Sequence, residues 1–168
     1  MKVEIGTAEW VGLFTGFTRS AWRLETLQHY DVPGEAAEQA EWESLVRAGA
    51  PLGRMFSRVH VVTEPWSPYI RQELEAYARN VAAGERVSII PAVNGLWPRY
   101  VPAGDFWLFD SAVVAVLDYD QAGRPGGATV TSDPVLVARA CQARDAAEAV
   151  AVSWQQYMKR AGHLARAS

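Results

Sequence analysis

Apolar residues alternate along VHVVTEP, from Val59 to Pro65, and the spacing turns helical just beyond. Ser57–Glu64 is short and rich in β-branched residues, which predicts a strand. Ser67 is placed to cap a helix, Pro68 suits its first position and Gly84 its end, so a helix is expected over 67–84. RVSIIP (86–91) predicts a second strand. The unit 58–91 has the length of a right-handed crossover and therefore implies two parallel strands.

Downstream, DFWLFD (105–110) and AVVAVLDYD (112–120) predict two strands, and DQAGRPGG turns the chain into a third at ATVTSD (127–131). Short connections make these antiparallel. Trp107 and Phe109 fall on one face of their strand and Phe106 and Leu108 on the other, so that strand belongs in the middle of the sheet. Upstream, the alternation around Trp22, Leu24 and Leu27 is weak and predicts a short strand or an extended wrap. PGEAAEQAEWESLVRAGAPLG predicts a helix, with a Pro33–Gly34 turn, acidic residues in its first turn, and Gly49 and Pro51 at its end. Asp133–Pro134 starts a long amphipathic helix that ends near Gly162. Residues 1–17 give no assignment. The fold class expected is α/β (α+β): a single domain over 1–168, a mixed sheet of about five to six strands with one parallel βαβ unit, and a long C-terminal helix.

Composition narrows the function classes. The 168 residues carry a net charge of −3 with no basic stripe, so no direct nucleic-acid binding is expected. Lysine occurs only at 2 and 159, and arginine, the side chain suited to bidentate carboxylate pairing, carries the remaining positive charge. A single cysteine, Cys141, and three scattered histidines offer no metal-ligand spacing, and no cofactor is expected. Neither a basic-then-apolar leader nor a bilayer-length apolar run appears, so a cytoplasmic protein with no membrane contact is expected.

Candidate chemistry gathers around the first crossover. In the helix after Pro65, Tyr69, Glu73 and Tyr77 share a face, Ile70, Leu74 and Val81 form the apolar side, and Arg71 and Glu75 are spaced to pair on the wet side. Glu64 ends a strand that feeds a helix, where open α/β sheets bind ligands, although a cap or an arginine partner would serve it equally. Asp105 and Asp110 bracket an aromatic strand, too far apart for a coupled acid–base pair, with Asp110 a turn former or a pocket edge. Of seven tryptophans, Trp66 and Trp97 stand beside proline in loops, and Trp107 can line a pocket. Glycine-rich phosphate loops and serine nucleophile elbows are both missing.

RSAWRLETLQHYDV, the run from Arg58 to Pro91, and the run from Asp105 to Val152 together resemble an uncharacterised actinobacterial, Streptomyces-type family, the domain of unknown function 6879. The likeness covers about 14–152 and leaves 153–168 as an extension of the last helix and a tail. Where the family usually places an aromatic after RDAA, this chain has Glu148. The resemblance implies a regulatory or accessory role, because members are often encoded beside helix-turn-helix regulators. A weaker fold-level likeness is to degenerate phospholipase-D-like modules; 105–120 lacks the histidine and lysine of the catalytic versions, so such a cleft would bind rather than cut.

Two functions follow as expectations. The first is a non-enzymatic regulatory domain binding a small ligand or a partner protein, plausibly a helix-turn-helix regulator, through Arg23, Glu25, Glu64, Trp66, Tyr69, Arg71, Glu73, Trp107 and Asp110. Arg23 would pair with Glu64, with Glu73 or with the ligand's carboxylate. The alternative is a small biosynthetic enzyme with Glu64 or Glu73 as base and a tyrosine as acid. Burial separates the two: an arginine-clamped carboxylate fits binding, whereas one held away from arginine with a raised pKa fits acid–base work. A homodimer built on the last helix, with Val135, Val137, Ala138, Cys141 and Ala149 on its apolar side, is a third expectation.

Overall fold

The computed structural model describes residues 1–31 and 35–167. The expected Pro33–Gly34 turn lies outside the described residues. The chain forms β1 (Lys2–Val3), α1 (Ala8–Gly16), β2 (Ser20–Glu25), α2 (Glu35–Gly49), β3 (Met55–Glu64), α3 (Pro68–Ala83) and β4 (Arg86–Val93). There follow β5 (Phe106–Phe109), β6 (Val113–Tyr119), β7 (Pro125–Thr131), α4 (Pro134–Val150), β8 (Val152–Ser153) and α5 (Trp154–Ala167). One mixed sheet takes the order β1-β7-β6-β5-β2-β3-β4-β8.

The α3 signals act as the sequence predicts. The Ser67 side chain accepts from the Ile70 N–H, Pro68 opens the helix and Gly84 closes it in the left-handed conformation. β3 and β4 are parallel, and β5, β6 and β7 pair antiparallel in turn. β2 is a strand, parallel to β3 and antiparallel to β5, which makes β2–α2–β3 a second crossover.

Alternation divides the sheet cleanly. Ala21, Phe56, Trp107, Phe109 and Ala115 pack against Phe14 of α1, Val46 of α2 and Ala83 of α3. Trp22, Leu24, Val59, Val61 and Leu108 face the other way, against Ala140, Ala143 and Ala147 of α4. Helices therefore cover both faces, and β5 is dry on each side as a central strand must be.

The expectations need correction in three places. Eight strands form among the described residues, because β1 and β8, two residues each, cap the sheet edges. A two-residue strand is too short to show a period. The long last helix is two helices: Ala151 is extended, and Val152 and Ser153 pair with Ile89 and Ser88 of β4. α5 then runs on through Gly162, anchored where the Trp154 indole donates to the Leu74 carbonyl at 2.7 Å. Sheet pairing and indole burial override the helical pattern there. The apolar side expected of that helix also divides, since Val137 and Cys141 pack on the core while Val135, Ala138 and Ala149 are exposed.

Candidate functional site

The parallel register sets Arg23 beside Arg58 and Glu25 beside His60. All four side chains fall on the face beneath α1, α2 and α3, because residues two apart on a strand share a face. A strand buried on both sides thus carries an arginine and a histidine inward, and burying charge is tolerated only when it is paired and hydrogen-bonded.

The pairing is dense. Arg58 holds the Glu85 carboxylate with two nitrogens, Nε on Oε1 and Nη2 on Oε2, and gives Nη1 to Glu25 Oε2 at 3.1 Å. Trp42 Nε1 and Asn80 Nδ2 each donate to Glu85 Oε2 at 2.7 Å. Glu25 Oε1 takes Arg23 Nη2 at 3.0 Å, and its Oε2 accepts the Tyr77 hydroxyl at 2.7 Å. Burial alone would raise the Glu25 pKa, but Arg23, Arg58, His60 and the Tyr77 hydroxyl hold it far below the usual carboxyl value. Burial first, then the Glu25 charge, pushes the Tyr77 and Tyr30 phenols well up, so both remain O–H donors.

His60 ties this network to the loop after β2. Its Nε2 faces the Leu27 carbonyl at 3.0 Å, an acceptor only, so Nε2 carries a proton. Its Nδ1 meets the Tyr77 oxygen at 2.8 Å, and the Tyr77 hydroxyl also reaches Glu25. Two arginines, Arg23 and Arg58, and the His60 ring thus stand among three carboxylates, Glu25, Glu85 and Asp105. Asp105 accepts from the Thr26 N–H and hydroxyl, both at 2.8 Å, and from Tyr30 at 2.7 Å.

Above this floor lies a cavity of about 530 Å³. Trp10, Val11 and Phe14 of α1 and Trp42 and Leu45 of α2 form its apolar walls, with Trp107 and Leu117 rising from the sheet. Its polar groups are Arg23, Glu25, Arg58, Tyr30, Tyr69, Glu73 and Tyr119, and Glu38 and Glu41 stand exposed beside it. Arg23 lies with its guanidinium carbon 5.4 Å from the Trp107 ring centre. Its Nη2 is engaged by Glu25 and, at 3.4 Å, by the Tyr119 oxygen. Its Nε is buried without an acceptor, and no hydrogen bond forms from Nη1 among the described residues.

Glu73 is the counterpart. Its hydrogen-bond partner is the Tyr69 hydroxyl at 3.4 Å, and among the described residues no cation pairs with it. Burial first and the Glu25 charge second push its carboxyl above the usual 4.5, against the pull of Arg58, His60 and Arg23. A folded pKa above the unfolded one means that the ionisation penalty is absent below the unfolded value and complete above the folded value. Glu73→Gln is therefore expected to stabilise the protein by about 0.5–2 kcal/mol at neutral pH, with the gain vanishing well below pH 4.5. Urea unfolding at the two pH values reads this directly, and a loss of stability at neutral pH would contradict it.

Of the predicted residues, Arg23, Glu25, Tyr69, Glu73 and Trp107 meet in this cavity. Arg23 pairs with Glu25, not with Glu64 or Glu73. Glu64 instead accepts from the Tyr157 hydroxyl, which in turn accepts from Trp66 Nε1, both at 2.7 Å, and fastens α5. Arg71 lies over the Trp66 ring at 5.4 Å, and its expected pair with Glu75 does not form. Asp110 is a clasp at the start of β2, accepting from the Thr18, Arg19 and Ser20 N–H groups and the Thr18 hydroxyl. Burial raises its pKa slightly, and those N–H groups win and lower it. The site also lies on the sheet's face, under the helices, and not beyond the carboxyl ends of the strands.

Sequence reasoning missed Arg58, His60, Glu85, Tyr30 and Tyr119. A signal for the first two was present: SRVHVV places an arginine and a histidine two apart in a strand otherwise apolar on both sides. Glu85 and the tyrosines come from separate elements and gave none. No group of three metal-ligating side chains stands where an ion would fit, and no helix is long and apolar enough to cross a membrane, among the described residues.

A three-layer α/β domain with a charged floor beneath an aromatic-walled cavity is the class that fold and site define. The chain belongs to the family described as domain of unknown function (DUF6879), whose model matches residues 8–44 and 34–159. That match runs into α5, beyond the stretch 14–152 that carries the resemblance in the sequence. No curated protein matches the chain.

Proposed function

We propose that this is a non-enzymatic, small-ligand-binding domain with a regulatory or accessory role, the ligand seated between the sheet and α1–α3. The observation that carries the reading is the combination of an aromatic-walled cavity of about 530 Å³ with two ionic groups, Arg23 and Glu73, that the fold leaves incompletely satisfied. Sites for small molecules are apolar clefts of this size with a few placed polar groups. Glu25 and Glu85 are clamped by arginine, which fits a scaffold that presents the site and not a proton-transfer couple. A helix-turn-helix regulator as the partner that responds to ligand binding is the family-level part of this proposal.

Leu45→Trp on α2 fills the cavity from its wall without touching the charged floor. Equilibrium dialysis against a cell extract, with mass spectrometry of the retained fraction, is expected to find a small molecule held by the wild type and lost in Leu45→Trp. Equal retention by the two proteins would sink the cavity as the binding site.

The acid–base enzyme draws on one specific observation: Glu73 is free of arginine and its carboxyl is raised, as a general base requires. Should the retained molecule be converted by the wild type and not by Glu73→Gln, the enzyme replaces the binding domain.

A further inference from the structure

The floor of the cavity is already partnered: Arg58 holds Glu85 and Glu25, and Arg23 gives its Nη2 to Glu25. All three nitrogens of Arg58 are spent on carboxylates, and Asp105 has the Thr26 and Tyr30 donors. Two functional groups are left over. Arg23 retains N–H groups at Nε and Nη1 that no acceptor meets among the described residues. Glu73 is a carboxylate outside that paired set, with one long phenol contact and no cation among the described residues. They line one cavity and do not pair with each other, because Glu25 and the Trp107 ring hold the Arg23 side chain on the sheet while Glu73 hangs from α3.

An unmet guanidinium N–H calls for an anionic acceptor, and an unmatched carboxylate calls for a cation. Charged groups taken out of water hold such partners more strongly than exposed ones do. The remaining wall, with Trp10, Phe14, Trp42 and Trp107, suits a flat apolar body and favours a cation nearby through its ring faces.

We propose that the ligand is a zwitterion of the amino-acid type: a carboxylate on Arg23, an ammonium group on Glu73 and an aromatic or bulky apolar side chain between α1 and α2. This rests on the reading of the cavity as a ligand site and adds the chemical class of its occupant. Binding gives Arg23 an acceptor for N–H that Glu25 leaves unused, and gives Glu73 a cation that the described residues do not supply.

The test uses the full chain and three probes sharing one ring: L-phenylalanine, 2-phenylethylamine with the ammonium alone, and 3-phenylpropionate with the carboxylate alone. Calorimetry, or quenching of the cavity tryptophans, gives the affinities. L-phenylalanine is expected to bind at least about tenfold more tightly than either singly charged probe. In Glu73→Gln its advantage over 3-phenylpropionate should disappear, and in Arg23→Met its advantage over 2-phenylethylamine should disappear. Circular dichroism checks that Arg23→Met is folded, and Glu73→Gln carries the test by itself if that variant is not. A singly charged probe that binds as well as L-phenylalanine overturns the zwitterion while leaving a binding cavity. Failure of all three probes to bind at millimolar concentration also overturns it; retention of an extract molecule by the wild type and not by Leu45→Trp still reports separately on the cavity.

Discussion

Arg58→Met is expected to lose about 3–5 kcal/mol of stability at neutral pH, the range found when one partner of a buried ion pair is removed. Methionine has similar reach and no charge, so packing is largely kept and the electrostatic loss is isolated. Glu85 would keep only the Trp42 and Asn80 donors, and Glu25 only Arg23 and Tyr77. The pH dependence follows from Glu25. In the wild type its folded pKa is depressed, so its stabilising contribution is present above the unfolded value of 4.5 and fades as pH falls. In Arg58→Met that carboxyl loses one of its two arginines and protonates more easily. The gap between the two proteins should therefore be widest near neutrality and narrow as pH falls through 4.5. Guanidinium chloride unfolding at pH 7 and pH 4 measures both quantities. A loss below about 1 kcal/mol at pH 7 would show that the cluster is not the buried ionic centre described here. Arg58→Lys should fall between the two, because an ammonium group cannot hold Glu85 with two nitrogens.

Phe14→Ala is the second large effect, an expected loss of about 3–5 kcal/mol. Phe14 is the buried anchor of α1, and its ring meets Trp10, Trp42, Trp107 and Phe109 edge-on with centroids 5.0–5.9 Å away. Alanine forfeits those contacts and leaves a void that α1, nine residues long, cannot close by itself. Val11, on the same helix and half exposed, provides the control: Val11→Ala should change stability by no more than about 0.5 kcal/mol. Hydrogen exchange would show the α1 amides opening first in Phe14→Ala, ahead of β2 and β3. Unchanged exchange across Ala8–Gly16 would mean that α1 is held by something other than this aromatic cluster. Because Phe14 also lines the cavity, the same variant should weaken ligand retention through its wall.

The elements that local chemistry specifies were legible. Ser67, Pro68 and Gly84 delimit α3, because a hydroxyl cap, a fixed proline φ and a left-handed glycine act within a few residues. The two-residue period of β3, β5 and β6 set the mixed sheet and put Trp107 and Phe109 on a common face. The site was legible in part. Arg23 and Glu25 share a face by alternation within β2, and Tyr69 and Glu73 by the helical turn, which is why these two pairs were found and do line one cavity. Glu64 is a candidate by its place at the end of β3 and Trp66 by its place beside proline; α5, absent from the pattern as a separate helix, claims both through Tyr157.

What the sequence determined alone is therefore local: caps, periods and the inward direction of each strand residue, all governed by interactions spanning a few residues. The tertiary structure decided the rest. It set Arg23 against Arg58 through a parallel register, carried Glu85 across from the α3–β4 corner, and broke the last helix to pair β8 with β4. Each of these follows from charges that must find partners once buried and from edges that must find a strand. Those requirements arise only between segments distant in the chain, and no local pattern records them.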